Sequence, residues 1–141
     1  MHDRIAVIIT SINKLNRNIQ NLSFNSKKKN WSFIIIGDKK SPKNFSLKYG
    51  KYYNIRDQKK TNINFAKICP LNSYARKNIG YLLAIKNKTE VIIETDDDNY
   101  PKKNFFTTPK LIHKVSEITN KNWVNIYDLF LKEKKFIWPM G

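Results

Sequence analysis

The sequence predicts an α/β fold, a mostly parallel sheet flanked by helices, and three observations predict it. Residues 5–9, 31–36 and 90–94 are near-continuous apolar runs rich in β-branched residues, as in strands buried on both faces. Between them, apolar residues recur instead at helical spacing. Strands that alternate with helices make parallel sheets, because each parallel connection has to cross over the sheet.

The elements follow in chain order. Ile5-Ala6-Val7-Ile8-Ile9 is the first strand and ends at Thr10-Ser11. Leu15, Ile19 and Leu22 come at spacings of four and three, one stripe of a short helix. The strand over 31–36 is stopped by Gly37-Asp38, where glycine lets the chain turn. In the polar, lysine-rich stretch that follows, Tyr52-Tyr53-Asn54-Ile55 is read as a short third strand. Ser73 is placed to cap a helix over 74–86, with Ala75, Ile79, Leu82 and Leu83 as its buried stripe. The strand over 90–94 then delivers Asp96, Asp97 and Asp98. Beyond Pro101 the apolar groups at Phe105-Phe106, Leu111-Ile112, 123–131 and 136–138 follow neither period.

Composition sets the bounds. A length of 141 residues is a prior for one domain. A hydrophobic fraction of 40% and an aromatic fraction of 13% argue against a disordered chain. The single cysteine, Cys69, leaves no internal disulfide and suits a reducing, cytoplasmic setting. It reads as a small buried hydrophobe. No apolar run is long enough for a signal segment or a membrane span. The net charge of +16 invites a polyanionic partner. However, lysine outnumbers arginine 23 to 4 and asparagine and isoleucine abound, a profile of biased base composition. Nucleic-acid readers favour arginine for bidentate contacts, so nucleic acid is not the expected partner.

Ligands of parallel sheets bind beyond the carboxyl ends of the strands. Thr10-Ser11, Asp38 and Asp96 to Asp98 all fall at such ends, so the topology itself predicts a site on one rim. Arg76 and Lys77 lie in the first turn of the preceding helix, where cations oppose the helix dipole. A cation there suits an anion such as a pyrophosphate, and the alternative is a surface Arg-Lys pair or a structural pairing with Asp57. Residues two apart on a strand share a face, so Asp96 and Asp98 are expected to point together and Asp97 away. An acidic pair facing a diphosphate suits magnesium or manganese, which take oxygen ligands from one or two carboxylates and from phosphate. The spacing of a calcium-binding loop and the glycine-rich run of a P-loop are both absent. The alternative is an acidic turn neutralised by nearby lysines.

"NSYARKNIGYLLAI" followed by "VIIETDDDNYP" resembles the STELLO-type glycosyltransferase family, formerly a domain of unknown function. The resemblance extends to "VIITSINK", "WSFIIIGDKKSP", "VNIYDLF" and "IWPMG". The chain is also similar to the wider GT-A superfamily. There an Ala-Arg-Asn-x-Gly-x-x-x-Ala helix precedes the Asp-x-Asp strand, matched here by Ala75-Arg76-Lys77-Asn78-Ile79-Gly80 and Ala84 with one residue inserted after the arginine.

The resemblance implies a Rossmann-like, GT-A-like fold and a metal-dependent hexosyl or pentosyl transfer from a nucleotide sugar, expected to be a UDP-sugar, to a glycan, lipid or protein acceptor. It implies Thr10, Asp38, Arg76, Asp96 and Asp97 as donor-binding residues. It also implies Asp96 and Asp98 as ligands of Mn2+ or Mg2+. Residues 1–141 would form one nucleotide-sugar-binding domain with an incomplete acceptor half, since GT-A domains carry a longer second half. No catalytic base can be named. Glu94 and Glu117 qualify by residue type alone, and His113 reads as a surface residue more than a metal ligand. The alternative functions are a truncated, non-catalytic nucleotide-binding module or a basic nucleic-acid-associated protein.

Overall fold

The computed structural model describes residues 4–108, 110, 112–115, 117, 119 and 124–125. Strands β1 (Ile5–Ser11), β2 (Ser32–Gly37), β3 (Lys51–Tyr53) and β4 (Val91–Glu94) form one sheet in the order β3-β2-β1-β4. Every pairing is parallel, so the expected α/β, Rossmann-like architecture is the one found. Helices α1 (Arg17–Lys28), α2 (Ile55–Lys60), α3 (Asn64–Ile68) and α4 (Lys77–Lys86) make the connections, with a 3-10 turn, Tyr74–Arg76, leading into α4.

The alternation of side chains divides the core into two layers. Ala6, Ile8, Ile34 and Ile36 pack with Ile63, Ala66, Cys69, Ile79, Leu83 and Ala84. Ile5, Val7, Ile9, Phe33 and Ile35 pack on the other face with Ile19, Leu22 and Trp31. Both faces of β1 and β2 are thus covered, which is why their sequences are continuous apolar runs instead of alternating ones. Leu15 precedes α1 and still packs on its layer. Asn16 caps α1, its side chain accepting from the Ile19 amide.

Four local expectations differ from the structure. The third strand stops at Tyr53, because Asn54 instead caps α2 by accepting from the Asp57 amide. The lysine-rich stretch holds α2 and α3, two helices too short and too polar to show a stripe. Leu82 is 37% exposed, and Ala84 takes its place in the core. Gly37 does not turn the chain: it closes β2, and a Cβ there would lie 2.5 Å from the Tyr52 hydroxyl. Gly80 has a similar cause. A Cβ would sit 2.6 Å from Cγ2 of Ile8, a stiff β-branched neighbour, so glycine lets α4 lie close on the sheet.

The chain divides into two units, Met1–Thr107 and Thr108–Gly141. The sheet and its helices lie in the first. The second contains the "VNIYDLF" and "IWPMG" segments, of which only Val124 and Asn125 are among the described residues. His113 and Glu117 also belong to this second unit.

Candidate functional site

The register of the sheet aligns the strand ends. Thr10 lies opposite Ile36 and Ser11 opposite Gly37, so β1 and β2 end level. The Ser41 hydroxyl donates to the Ser11 carbonyl at 2.6 Å and accepts from the Asp38 amide at 2.6 Å, fastening the two ends together. On the other side Glu94 pairs with Ile8. Carried on by three residues, that register sets Asp97 beside Ser11. The cleft beyond these ends has a volume of about 510 Å3, and Thr10, Asp38, Arg76, Asp96, Asp97 and Asp98 all line it. The topology thus gathers every site residue named from the sequence of the strand ends.

The three aspartates do not lie on the strand. β4 ends at Glu94, and residues 96–98 form an irregular turn in which each carboxylate has a different role. Asp97 points inward, accepting from the Ser11 hydroxyl and, at 2.9 Å, from Asn13 Nδ2. Its carbonyl accepts from Asn16 and Asn18 Nδ2, both at 3.1 Å. Asp96 is held by Lys77 Nζ at 2.8 Å. Asp98 is exposed and carries no protein partner among the described residues. The expected common direction of Asp96 and Asp98 rested on strand geometry that stops two residues earlier.

Asp38 is half-buried, its side chain 14% exposed, and its carboxylate ties β2 to the loop before α4. It accepts from the amides of Lys39 at 2.7 Å, Asn72 at 3.0 Å and Ser73 at 3.1 Å. Asn72 takes a positive φ of 52°, a conformation asparagine tolerates. Arg76 is 1% exposed. Its guanidinium donates to the carbonyls of Cys69 and Pro70, at 3.0 and 3.3 Å, and to Gln58 Oε1. Its Nε stands 3.9 Å from Asp38, so the acid it pairs with is Asp38 and not Asp57. Gln58 is fully buried and donates at 2.7 Å to the carbonyls of both Gly37 and Tyr53. Arg76 and Gln58 therefore lock the ends of β2 and β3 to the 69–73 loop.

Lys77, the first residue of α4, explains the dipole-opposing cations. Its ammonium bridges Asp96 and Glu94, the latter at 2.9 Å, and Tyr81 donates to the other oxygen of Glu94. Burial pulls the Lys77 value down, but the hydrogen bonds it donates to Asp96 and Glu94 outweigh it and the net shift is upward. Glu94 is lowered, first by the Tyr81 hydrogen bond and then by Lys77. Burial and then the Glu94 bond push the Tyr81 phenol from 10.0 up to about 12.

These shifts fix a pH dependence. A raised phenol stays protonated in the folded chain where the unfolded chain has already ionised, so its contribution is complete below pH 10 and disappears towards about 12. Lys77 acts in the same alkaline direction, whereas the Glu94 contribution is lost on the acid side as pH falls through its lowered value. Stability should therefore decline above about pH 10, and Tyr81→Phe should flatten that decline. Urea midpoints between pH 8 and 11.5 measure it. An identical decline in the variant would show that folding does not raise the Tyr81 phenol.

Sequence reasoning placed Ser11 on this rim without its bond to Asp97, and missed Asn13, Asn18, Gln58 and Tyr81. The only sequence signal was the run of asparagines after β1, which offers amide donors to a neighbouring turn. Among the described residues, no group of three or more His, Cys, Asp or Glu side chains could hold a metal by itself. Magnesium and manganese commonly need only one or two carboxylates, completed by water and substrate phosphate. Asp98, without a partner among the described residues, and the exposed Asp96 fit that smaller role.

No family model matches the chain. Over 71 residues, half of this chain, it is 32% identical to the probable glycosyltransferase STELLO2 of Arabidopsis thaliana. Over the same length it is 31% identical to the probable glycosyltransferase STELLO1 of that plant. The matched stretch covers 9% of each relative. Among the described residues no helix is long and apolar enough to cross a membrane.

Proposed function

We propose that this relative of the STELLO-type probable glycosyltransferases binds a nucleoside-diphosphate sugar, with a uridine nucleotide as the donor, and takes part in transferring its glycosyl group. The observation that carries the reading is the convergence of three parallel strand ends, bearing Thr10, Asp38 and Asp96 to Asp98, on one cleft. This is where α/β sheets take nucleotides. Nucleic acid is a poor fit, because Asp38, Asp96, Asp97 and Asp98 face the cleft against Lys40 and Arg76.

In this reading Asp96 and Asp98 hold a divalent cation together with the diphosphate. When bound, the cation supplies Lewis-acid stabilisation of the leaving nucleoside diphosphate. Asp97 fixes the turn that carries them, through Ser11 and Asn13. Arg76 supports the donor indirectly, by fixing Asp38 and the 69–73 loop. A carboxylate offers about four acceptor positions, and backbone amides occupy three at Asp38. The remaining one is available to an N–H of the base. Thr10 lines the same cleft from the end of β1.

Thermal-shift measurements with nucleoside diphosphates and manganese test the proposal. Uridine diphosphate should raise the melting temperature by several degrees, through preferential binding to the folded chain. No stabilisation by any nucleotide would contradict the reading. Asp38→Asn exchanges an acceptor for a donor opposite the base, so it should weaken uridine nucleotides about tenfold more than guanosine ones. Equal loss for both would show that Asp38 does not read the base.

A further inference from the structure

We propose that Lys77 is a resident counter-cation that opposes metal binding at Asp96 until the donor diphosphate is present, so that metal and nucleotide bind jointly. The inference rests on the nucleotide reading above and concerns how that site is charged. Lys77 is 8% exposed, and its ammonium is committed to Asp96 at 2.8 Å, Glu94 at 2.9 Å and the Thr95 carbonyl at 3.5 Å. Fastening α4 to β4 would need only Glu94, whose second oxygen is already anchored by Tyr81. The additional bond goes to Asp96, a residue that lines the cleft.

Asp96 therefore meets an approaching metal already half-neutralised. Its Oδ1 is on Lys77, while among the described residues Oδ2 has only a long contact, 3.5 Å, with Asn99 Nδ2. A divalent ion on Oδ2 would share one carboxylate with a buried ammonium, and two cations a few ångströms apart repel strongly outside bulk water. Asp98 has no partner among the described residues but is a single ligand. A diphosphate changes the balance, since it brings negative charge to both cations and oxygen ligands to the metal. The coupling is reciprocal: metal strengthens nucleotide binding by the factor that nucleotide strengthens metal binding.

Electron paramagnetic resonance of free Mn2+ titrated with the full chain, with and without UDP, tests the proposal. In the wild type UDP should tighten Mn2+ binding by about tenfold or more. Lys77→Met should improve nucleotide-free Mn2+ binding by about tenfold and shrink the UDP effect by the same factor. That gain should vanish when Asp96→Asn is also present, since Lys77 acts through Asp96. Lys77→Gln, neutral but still a hydrogen-bond donor, gives the same measurement if the methionine variant does not fold. A folded Lys77→Met or Lys77→Gln chain whose Mn2+ affinity is unchanged or weaker would overturn the proposal while leaving the nucleotide reading intact. Failure of the wild type to bind UDP at any Mn2+ concentration would overturn both.

Discussion

Replacing Arg76 with alanine is expected to lower the stability of the fold by about 3–5 kcal/mol, the effect of removing one partner of a buried charged network. The side chain is 1% exposed and serves two backbone carbonyls, Gln58 and Asp38. Without it Gln58 Oε1 and the Cys69 carbonyl lose their donor inside the protein, and Asp38 loses its counter-charge. Domains of this size are stable by only about 5–15 kcal/mol, so much of the folded margin disappears. Lysine keeps the charge but not the planar fork that reaches several acceptors at once, so Arg76→Lys should recover only part of the loss. Urea denaturation of the three chains measures this. A loss below about 1 kcal/mol in Arg76→Ala would mean that the buried network does not form as described.

The second large effect separates the aspartates. Asp98→Ala removes an exposed carboxylate with no partner among the described residues. Stability should stay within about 0.5 kcal/mol of the parent, while manganese-dependent binding of UDP should fall by at least about tenfold. Asp97→Ala removes the acceptor for Ser11 and Asn13 and should lower stability by about 1–3 kcal/mol. Its backbone carbonyl still accepts from Asn16 and Asn18, so the turn loosens without being lost. Denaturation midpoints and nucleotide titrations on both variants check the pattern. Equal destabilisation by the two substitutions would contradict the division of roles within the turn.

What the sequence revealed follows from where burial is complete. β1 and β2 are covered on both faces, and that demand leaves an uninterrupted apolar run that cannot be mistaken. β4 differs from that expectation: it is an edge strand whose residues alternate half-buried and exposed, Ile92 at 36%, so its apolar run overstated its burial. Ile79 and Gly80 of α4 answer to the same sheet, and they mark the helix. By contrast α2 and α3 expose most of their surface and bury mainly Gln58 and Ala66. Gln58 is decisive for the rim, yet an isolated glutamine among lysines gives no periodic signal.

The candidate site was legible as a set of strand ends, and its internal wiring was not. Parallel topology alone brings Thr10, Asp38 and the aspartates to one rim. Which carboxylate is free depends on contacts that no spacing encodes: Lys77 turns back to Asp96, and Asn13 reaches across to Asp97. Lys77 still left a trace. A cation in the first turn of a helix is electrostatically misplaced, and the misplacement is explained by the two acids it bridges.

Calorimetric titration of the chain with UDP, in the presence and absence of Mn2+, shows whether this cleft is a metal-dependent nucleotide site. Binding should be saturable at one site with Mn2+, at least about tenfold weaker without it, and should lose its metal-dependent part in Asp98→Ala. Absence of UDP binding in both conditions, or binding that Mn2+ and Asp98→Ala leave unchanged, would contradict it.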